Sequence, residues 1–247
     1  MIKGIQSAEA AMRPKLARME VIANNLANVN TTGFKRDRLF VQMLNDSVAG
    51  KADSGGDLDE VRVKEGVDFS EGSLRETGNP LDVALQGQGF FAVDTPGGIR
   101  FTRSGSFRLS SDGTLVNADG YQVQGTGGAI TFPDMQKLQQ GTVNISETGE
   151  VMIDREMVGK LRIVDFADTS ALRKESASLF CAAPGTLMTE GTESSTAVKQ
   201  GFLEESNVDG VEEMIAMTEL QRSFDTDQKV LQALDDSVAK SLQVGKL

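Results

Sequence analysis

The heptad spacing of apolar residues near the C-terminus is the sequence feature that most constrains the fold. One row of the repeat consists of Met217, Phe224, Leu231 and Val238, and a companion row consists of Met214, Gln221, Gln228, Asp235 and Leu242. Asp209 is placed to cap a helix, with Glu212 as its capping-box partner. The pattern predicts one helix from Gly210 to about Val244, roughly 50 Å long. A helix of that length with a narrow apolar stripe needs a partner helix.

The N-terminus carries a second heptad pattern. Its apolar positions are Ile5, Met12, Met19 and Leu26. Pro14 lies inside this pattern, and we expect it to kink the helix or to start a second helical segment near Arg13. The pattern ends before Gly33, which is suited to a chain reversal.

The two ends of the chain carry opposite charge. Residues 1–41 contain seven Lys or Arg and three Asp or Glu, whereas residues 201–247 contain four and ten. This complementarity, with the two apolar stripes, favours pairing of the ends. We therefore predict an α+β fold in which the N- and C-terminal helices pair as a coiled coil beside a central all-β domain. The predicted domains are 1–33 with 207–247 for the coiled coil, 34–66 for a linker and 67–206 for the β domain.

The middle of the chain predicts short strands separated by turns. Apolar and polar residues alternate in the segments Ile99–Thr102 and Ser106–Leu109, and continuous apolar runs occur at Val83–Leu85 and Phe90–Val93. The dipeptides Asp112-Gly113 and Asp119-Gly120 are typical of hairpin turns. The segment Gly87–Ala92 matches a G-x-G-x-x-A nucleotide fingerprint, but a strand follows it where that motif needs a helix. We therefore predict a tight turn there.

The composition excludes several kinds of chemistry. The chain of 247 residues has no His and one Cys, which excludes His-ligated metals, Cys–His nucleophilic pairs and intramolecular disulfides. Its net charge of −11 argues against general nucleic-acid binding. No apolar stretch is long enough to span a membrane, and no signal-peptide core is seen at the N-terminus. An acidic cluster at Asp53, Asp57, Asp59 and Glu60 lacks cation-binding spacing and favours a solvated loop. We therefore expect no enzymatic activity, catalytic residue, cofactor or metal.

An asparagine-rich stretch follows the first apolar pattern. Four Asn occur among residues 24–30, beside Leu26 and Val29. Asn weakens a helix end, yet its amide offers both donors and acceptors. This pattern indicates a specific polar helix-packing site, with a simple helix C-terminus as the alternative.

Three motifs in this order resemble those of a known family. The stretch VIANNLANVNTTGFKR resembles the N-terminal signature of the flagellar basal-body rod and hook proteins. The stretch QGFLEESNVDGVEEMIAMTELQRSFDTDQKVLQALDD resembles their C-terminal signature, and GNPLDVALQGQGFFAV with RFTRSGSFRLSSDGTLVNADGYQVQG resembles their β-domain core. The resemblance implies a structural subunit that polymerises through its terminal helices into the rod, the drive shaft that crosses the periplasm. Proximal rod members are the best match and distal rod members the alternative.

The resemblance and the heptads together define a predicted assembly interface. Its residues are Ile5, Met12, Met19, Asn24, Asn25, Leu26, Asn28, Gly33, Phe34, Asn207, Val208, Glu212, Met214, Met217, Gln221, Arg222, Phe224, Leu231 and Val238. The implied partners are further copies, other flagellar axial proteins and the flagellar type III export apparatus, which would export the chain without a cleaved signal peptide. A secreted adhesin with a ligand-binding β domain, and a carboxylate-dependent glycan hydrolase, stay open as other functions.

Overall fold

The structure of the chain is a computed structural model that describes residues 2–43, 61–132, 143–154, 156–183, 185–190 and 196–244. Two α-helices, nineteen β-strands and one short 3-10 helix (Thr169–Ala171) occur in these residues. The protein is therefore mostly β, with one helix towards each end. The acidic cluster at residues 53–60 lies outside the described residues.

The chain forms two compact units. Unit 1 comprises Met1–Ala27, Asp37–Gly66 and Asp209–Leu247, and unit 2 comprises Asn28–Arg36 and Val67–Val208. The chain passes from one unit to the other after residues 27, 36, 66 and 208. Unit 1 holds the helices α1 (Ile2–Ala27) and α2 (Gly210–Val244) and most of a two-stranded ribbon, β1 (Asp37–Met43) with β2 (Val61–Val67).

Helix α1 is continuous from Ile2 to Ala27 and contains Pro14. The second helical segment predicted to start near Arg13 is therefore wrong, whereas the alternative effect of Pro14, a kink within one helix, stays a prediction. A proline inside a helix removes one backbone hydrogen bond, but neighbouring tertiary contacts can offset that loss. One such contact follows immediately, because the Lys15 ammonium donates to Ser223 of α2 over 2.7 Å.

Helix α2 begins where its capping residue predicts. The Asp209 carboxylate accepts hydrogen bonds from the backbone N–H groups of Val211 at 2.8 Å and Glu212 at 3.1 Å. These are two of the donors that a helix start leaves without an internal partner. The helix then runs for 35 residues to Val244, which confirms the predicted bounds.

The predicted α+β class with a terminal coiled coil is wrong. The fold is mostly β, and no coiled-coil pairing is seen among the described residues of α1 and α2. A coiled coil needs apolar side chains buried in both heptad rows. Here the companion row is not buried: Met214 is 51% exposed, and Gln221 and Gln228 are exposed too. Among the side chains of α2 that the structure describes, Glu213 and Leu220 are the buried ones, so the contact with α1 is partly polar.

Unit 2 contains the central β-strands that the sequence predicts. Their bounds are β3 (Leu74–Glu76), β4 (Val83–Gln86), β5 (Phe90–Thr95), β6 (Gly98–Thr102), β7 (Arg108–Leu109), β8 (Leu115–Val116), β9 (Gln122–Gly125), β10 (Gly128–Ala129), β11 (Val143–Ile145), β12 (Glu150–Ile153), β13 (Glu156–Lys160), β14 (Ile163–Phe166), β15 (Leu172–Lys174), β16 (Leu179–Ala182), β17 (Met188–Glu190), β18 (Ala197–Gln200) and β19 (Phe202–Glu204). The predicted glycine turns are confirmed, since Gly113 (φ 76°) and Gly120 (φ 89°) take the left-handed backbone.

Antiparallel pairing joins these strands into one large sheet and several small ones. The large sheet has the order β15-β16-β6-β5-β9-β8-β7, with β14 also pairing with β5, β17 with β14, and β10 with β9. A second sheet has the order β11-β12-β13, and two pairs are formed by β18 with β4 and by β19 with β3. The residues Gly87–Gly89 form the turn between β4 and β5, so the strand that follows offers no helix N-terminus to a nucleotide.

Two apolar clusters form the core of unit 2. The larger cluster is mostly aliphatic and includes Val83, Leu85, Val123, Val151 and Leu161. The smaller cluster is aromatic and contains Phe90, Phe101, Phe166 and Phe180. Its rings meet edge to face, with centroids 4.9 Å apart for Phe101 and Phe166. Such pairs stabilise a core beyond the area they bury.

Replacing Phe180 by Ala tests the aromatic cluster. Phe180 is fully buried, so we expect Phe180→Ala to lower the free energy of unfolding by about 3–5 kcal/mol. Met157→Ala on β13 is the matched control, because Met157 is 58% exposed and its truncation leaves no cavity. Urea titration of both variants would measure the difference, and equal losses would contradict the assignment of Phe180 to the core.

Candidate assembly site

Asn25 fixes the end of α1 within unit 1. Its side chain is 1% exposed, and its amide forms two hydrogen bonds with the backbone of Asp37 on β1, to the carbonyl at 3.0 Å and from the N–H at 2.9 Å. The same amide nitrogen donates to the Glu213 carboxylate of α2 over 3.2 Å. The Asn25 side chain thus bonds to the backbone of β1 as a neighbouring strand would, and it also bonds to a side chain of α2. The neighbouring Asn24 is exposed and donates to the Asp37 carboxylate at 2.7 Å.

A second polar contact joins the two helices farther along their lengths. The Lys15 ammonium of α1 forms an ion pair with Asp227 of α2 and donates to Ser223 at 2.7 Å. Both charged side chains are partly exposed, so the ion pair contributes modestly to stability. Its main effect is positional: together with Asn25 and Glu213 it defines an antiparallel register between α1 and α2.

The motif residues after α1 enter unit 2 through a tight backbone contact. Gly33 has a φ of 68°, and a Cβ atom placed there would lie 2.3 Å from the backbone nitrogen of Ser104. Only glycine fits such a position. The Gly33 N–H donates to the carbonyl of Glu204 over 2.8 Å, and the side chain of Phe34 is fully buried. Lys174 covers Phe34, with its ammonium 3.7 Å from the ring centroid.

A buried cluster of three charges lies next to this contact. The Lys35 ammonium donates to the Glu204 carboxylate over 2.5 Å and to the carbonyl of Ser70 over 2.6 Å. The nearest Arg103 nitrogen lies 3.5 Å from the other oxygen of Glu204. Lys35 and Glu204 side chains are fully buried and Arg103 is 2% exposed. The cluster therefore joins the N-terminal motif, β19 and the loop after β6.

The geometry of the cluster leaves part of it without hydrogen bonds. Arg103 donates to the Gly87 carbonyl at 2.8 Å and stacks on the Phe90 ring, 5.1 Å from the centroid. Its Nε and Nη1 atoms and the Oε2 atom of Glu204 have no hydrogen-bond partner among the described residues. The attraction between Arg103 and Glu204 is therefore mainly Coulombic, and burial of both side chains strengthens it.

Burial acts on the protonation of both cations. It lowers the pKa of the Lys35 ammonium below its ordinary value of 10.5, and the attraction of Glu204 opposes this shift. Burial also lowers the pKa of Arg103, opposed by the carboxylates of Glu204, Glu71 and Asp165. The three buried groups carry one net positive charge when all are ionised. Glu204 is consequently the shared counter-charge that keeps both Lys35 and Arg103 ionised in the buried site.

Asn207 lies close to the point where the chain leaves unit 2 after residue 208. Its side chain forms hydrogen bonds near two other points, where the chain leaves unit 2 after residue 36 and enters it again after residue 66. Its side-chain carbonyl accepts from the Arg36 N–H at 2.7 Å, and its amide donates to the carbonyls of Asp68 at 2.9 Å and Ser70 at 3.1 Å. The Asp68 N–H also donates to the Arg36 carbonyl over 2.8 Å. Asn207 thus has in unit 2 the bridging role that Asn25 has in unit 1.

The residues of the predicted assembly interface divide by exposure. The buried ones are Asn25, Gly33, Phe34 and Val208. The half-buried ones are Met12, Met19, Leu26, Asn28, Asn207, Met217, Phe224 and Leu231. The exposed ones are Asn24, Glu212, Met214, Gln221 and Arg222, while Ile5 and Val238 lie at helical positions where only the backbone is described. The buried residues thus make contacts inside the chain, and the exposed ones are accessible to a second molecule.

Sequence reasoning missed the charged residues that hold these segments. Lys35, Arg103, Glu204 and Glu213 belong to none of the predicted sites, although all four are buried. The only signal was their position inside the matched motifs, next to apolar residues such as Phe34 and Leu203. Charged residues in that setting are usually assigned to the surface.

Two kinds of feature are absent from the part of the chain that the structure describes, a cluster of metal-binding side chains and a membrane-spanning helix. No group of three or more Asp, Glu or Cys side chains among them is placed to bind a metal ion. Neither described helix is long and apolar enough to cross a membrane.

Comparison with known families matches all three parts of the chain. A model described as "Flagella basal body rod protein" matches residues 5–35, which include most of α1 and the Gly33 contact. A model described as "Flagellar hook protein FlgE/F/G D1 domain" matches residues 84–153 of unit 2. A model described as "Flagellar basal body rod FlgEFG protein C-terminal" matches residues 199–244, which include Glu204, Asn207 and α2. These matches define the class as the rod and hook proteins of the bacterial flagellum.

Individual relatives match over nearly the full length of the chain. The flagellar basal-body rod protein FlgG of Bacillus subtilis is 33% identical over 258 residues, covering 96% of each chain. The flagellar basal-body rod protein FlgF of Rhizobium meliloti is 31% identical over 249 residues, covering 98% of each chain. The chain belongs to the flagellar basal-body rod protein family. The resemblance predicted from the motifs is thereby confirmed, with FlgF and FlgG both represented among the relatives.

The buried charge cluster predicts an asymmetric response to neutralisation. Glu204→Gln keeps the volume but leaves two buried cations together, so we expect a loss of about 3–5 kcal/mol in the free energy of unfolding. Lys35→Met leaves the Arg103–Glu204 pair balanced, so its loss should be clearly smaller. Chemical denaturation of the two variants would test this order. A larger loss for Lys35→Met would contradict the assignment of Glu204 as the shared counter-charge.

The lowered pKa of Lys35 predicts a pH dependence of stability. Between its lowered pKa in the folded chain and 10.5 in the unfolded chain, the unfolded state binds more protons. The free energy of unfolding contributed by Lys35 therefore rises as the pH increases through this window and is constant below it. The quantity to measure is the wild-type value minus that of Lys35→Met, from neutral pH to 10.5. A difference that falls with pH would show that Glu204 outweighs burial at Lys35.

Proposed function

We propose that this chain is a structural subunit of the bacterial flagellar basal-body rod. On this proposal it polymerises with further copies and with other axial proteins into the shaft that crosses the periplasm. Family membership supports the structural role, and the proposed contact surface is formed by the terminal helices. The observation that supports this contact surface is a set of apolar side chains exposed on α1 and α2: Leu16, Val211, Met214, Ile215 and Val230. Apolar side chains grouped on a surface mark contact sites.

The internal contacts of unit 1 are suited to a polymer subunit. Asn25 and Lys15 hold α1, β1 and α2 in one register before any second molecule binds. A subunit that is already ordered loses less conformational freedom when it joins a polymer. The predicted interface residues Glu212, Gln221 and Arg222 then form the polar part of the contact surface, around the apolar residues of α2.

The position within the rod is the second part of the proposal. We place the chain in the proximal rod, with the distal rod as the alternative, because its motifs resemble proximal members most. Relatives named FlgG keep the distal alternative open. We further propose that the flagellar type III apparatus exports the chain and that no N-terminal segment is cleaved from it. The mass of the chain recovered from basal bodies tests that point.

Electron microscopy of basal bodies from a strain deleted for this gene tests the structural role. We expect a rod that stops short and carries no hook, and the length of the remaining stump distinguishes proximal from distal placement. Complementation with the full chain should restore the rod, whereas a chain lacking residues 210–247 should not be incorporated. Circular dichroism of the truncated chain checks that its strands still form. An intact rod and hook in the deletion strain would contradict the proposal and favour a surface adhesin.

A further inference from the structure

One short segment of unit 2 comes from a distant part of the chain. Unit 2 comprises Asn28–Arg36 and Val67–Val208, and the strands of its sheets lie between Leu74 and Glu204. Residues 28–36 belong to none of these strands. We call residues 32–36 the inserted segment. The sheets of unit 2 are thus built without this segment, and the rest of the unit holds it as a receptor holds a peptide.

Hydrogen bonds from separate parts of unit 2 hold the inserted segment. The hydroxyl groups of Thr32 and Ser104 lie 3.0 Å apart, and the Lys174 ammonium donates to the carbonyl of Lys35 over 3.2 Å. Among the residues that bond to the segment are Ser70, Ser104, Lys174, Glu204 and Asn207, and we call these five the receptor site. They come from four loops or strands that are distant in sequence, so the receptor site forms only when unit 2 is folded.

The receptor site selects for sequence at two neighbouring positions. Gly33 fits because a Cβ atom there would lie 2.3 Å from the backbone nitrogen of Ser104. Phe34 is fully buried, and the ammonium of Lys174 lies 3.7 Å from its ring centroid. Large side chains buried in this way are the anchors that provide most of the affinity of an interface. The site therefore recognises a glycine followed by an aromatic residue.

The charge that recognises Lys35 keeps other partners when Lys35 is removed. The Glu204 carboxylate accepts from the Lys35 ammonium at 2.5 Å and from the Gly72 N–H at 3.0 Å, and the Arg103 guanidinium lies 3.5 Å from its other oxygen. Without Lys35, Glu204 and Arg103 form a neutral pair, so no buried charge is left alone. Glu204 thus attracts a lysine in the inserted segment, while the fold of unit 2 does not require that lysine.

We propose that the receptor site is a peptide-recognition site that accepts residues 32–36 of a second copy of this chain when its own inserted segment is detached. A second copy is the partner because it carries the same glycine, aromatic ring and lysine, with a positive charge at Lys35 to match Glu204. Within one chain the chain's own segment has the advantage of a high effective concentration, so exchange between copies requires its detachment. This binding goes beyond the structural role and can be measured on purified chains.

Hydrogen exchange of the wild-type chain tests whether the inserted segment detaches. The N–H of Gly33 donates to the carbonyl of Glu204 over 2.8 Å, and the N–H of Leu115 donates to the carbonyl of Ile130 over 2.9 Å. Detachment of the segment breaks the first bond and leaves the second intact. We therefore expect the Gly33 amide to exchange at least about ten times faster than that of Leu115, after correction for their intrinsic rates. Equal rates would overturn the proposal, because the segment would then open only when unit 2 unfolds.

A fluorescent peptide with the sequence of residues 28–36 tests recognition by the full chain. The receptor is the Gly33→Ala chain, whose own segment is kept out because the added Cβ meets the backbone of Ser104. We expect this chain to bind the peptide at least about ten times more tightly than the wild-type chain, in which the site is filled. A peptide that itself carries Gly33→Ala is the matched control, and it should not bind.

Two further variants test the charge contact and the second copy. Lys35→Met in the peptide should weaken its binding to the Gly33→Ala chain about tenfold, and this difference should disappear when the chain also carries Glu204→Gln. An unlabelled full-length Glu204→Gln chain, whose segment is less firmly held by its own receptor site, should displace the peptide. The same competitor with Gly33→Ala added should not displace it.

Four results would overturn the proposed binding. The first is loss of the strands of the Gly33→Ala chain, measured by circular dichroism, because the segment would then be a required part of unit 2. The others are intact strands without peptide binding, equal binding of the glycine and alanine peptides, and no displacement by the full-length competitor. None of these results depends on whether the chain is found in basal bodies, so the structural role is tested separately.

Discussion

The ion pair between Lys35 and Glu204 is the interaction on which the path of the chain depends. It joins residues that are 169 positions apart, one just before the ribbon and the other just before α2. Both are fully buried, and a buried charge is tolerated only with a partner in good geometry. The segments that carry Lys35 and Glu204 are therefore held against each other inside unit 2. Hydrophobic burial stabilises the strands, but the charge cluster determines where the segments before and after them lie.

Two asparagines join distant segments of the chain through side-chain amides, as Lys35 and Glu204 do through their charges. Asn25 and Asn207 each bond to backbone groups of segments that are distant in sequence, and both use donor and acceptor together. An amide is the only neutral side chain that can replace a peptide group in this way. A substitution that keeps size but removes one function, such as Asp for Asn, would leave a backbone group unsatisfied. These bonds are a physical reason for an asparagine in the motif at each end of the chain.

The sequence predicted features that depend on local chemistry. The Asp209 cap, the Gly113 and Gly120 turns and the strands around Gly87 follow from backbone preferences of a few neighbouring residues. Features that depend on distant partners were not predictable in the same way. The partners of Lys35 and Glu213 lie far away in sequence, and a heptad pattern does not reveal which of its rows faces inward. The coiled coil was wrong for that reason, since the row with Met214 and Gln221 faces outward. The second helical segment predicted at Pro14 was wrong, because α1 continues through the proline and contacts α2 directly after it through Lys15.

The separation of the two helices in sequence has a consequence for the order of folding. The contact between Lys15 and Asp227 closes a loop of 212 residues, whereas unit 2 contains the uninterrupted segment Val67–Val208. During synthesis, unit 2 strands can pair while the last segment is still in the ribosome, and α1 has to wait for α2. Contacts of such high sequence separation form late because the entropy of loop closure must be lost first. The helical part of the subunit is thus the last to be completed, and its inner faces are available to other helices until then.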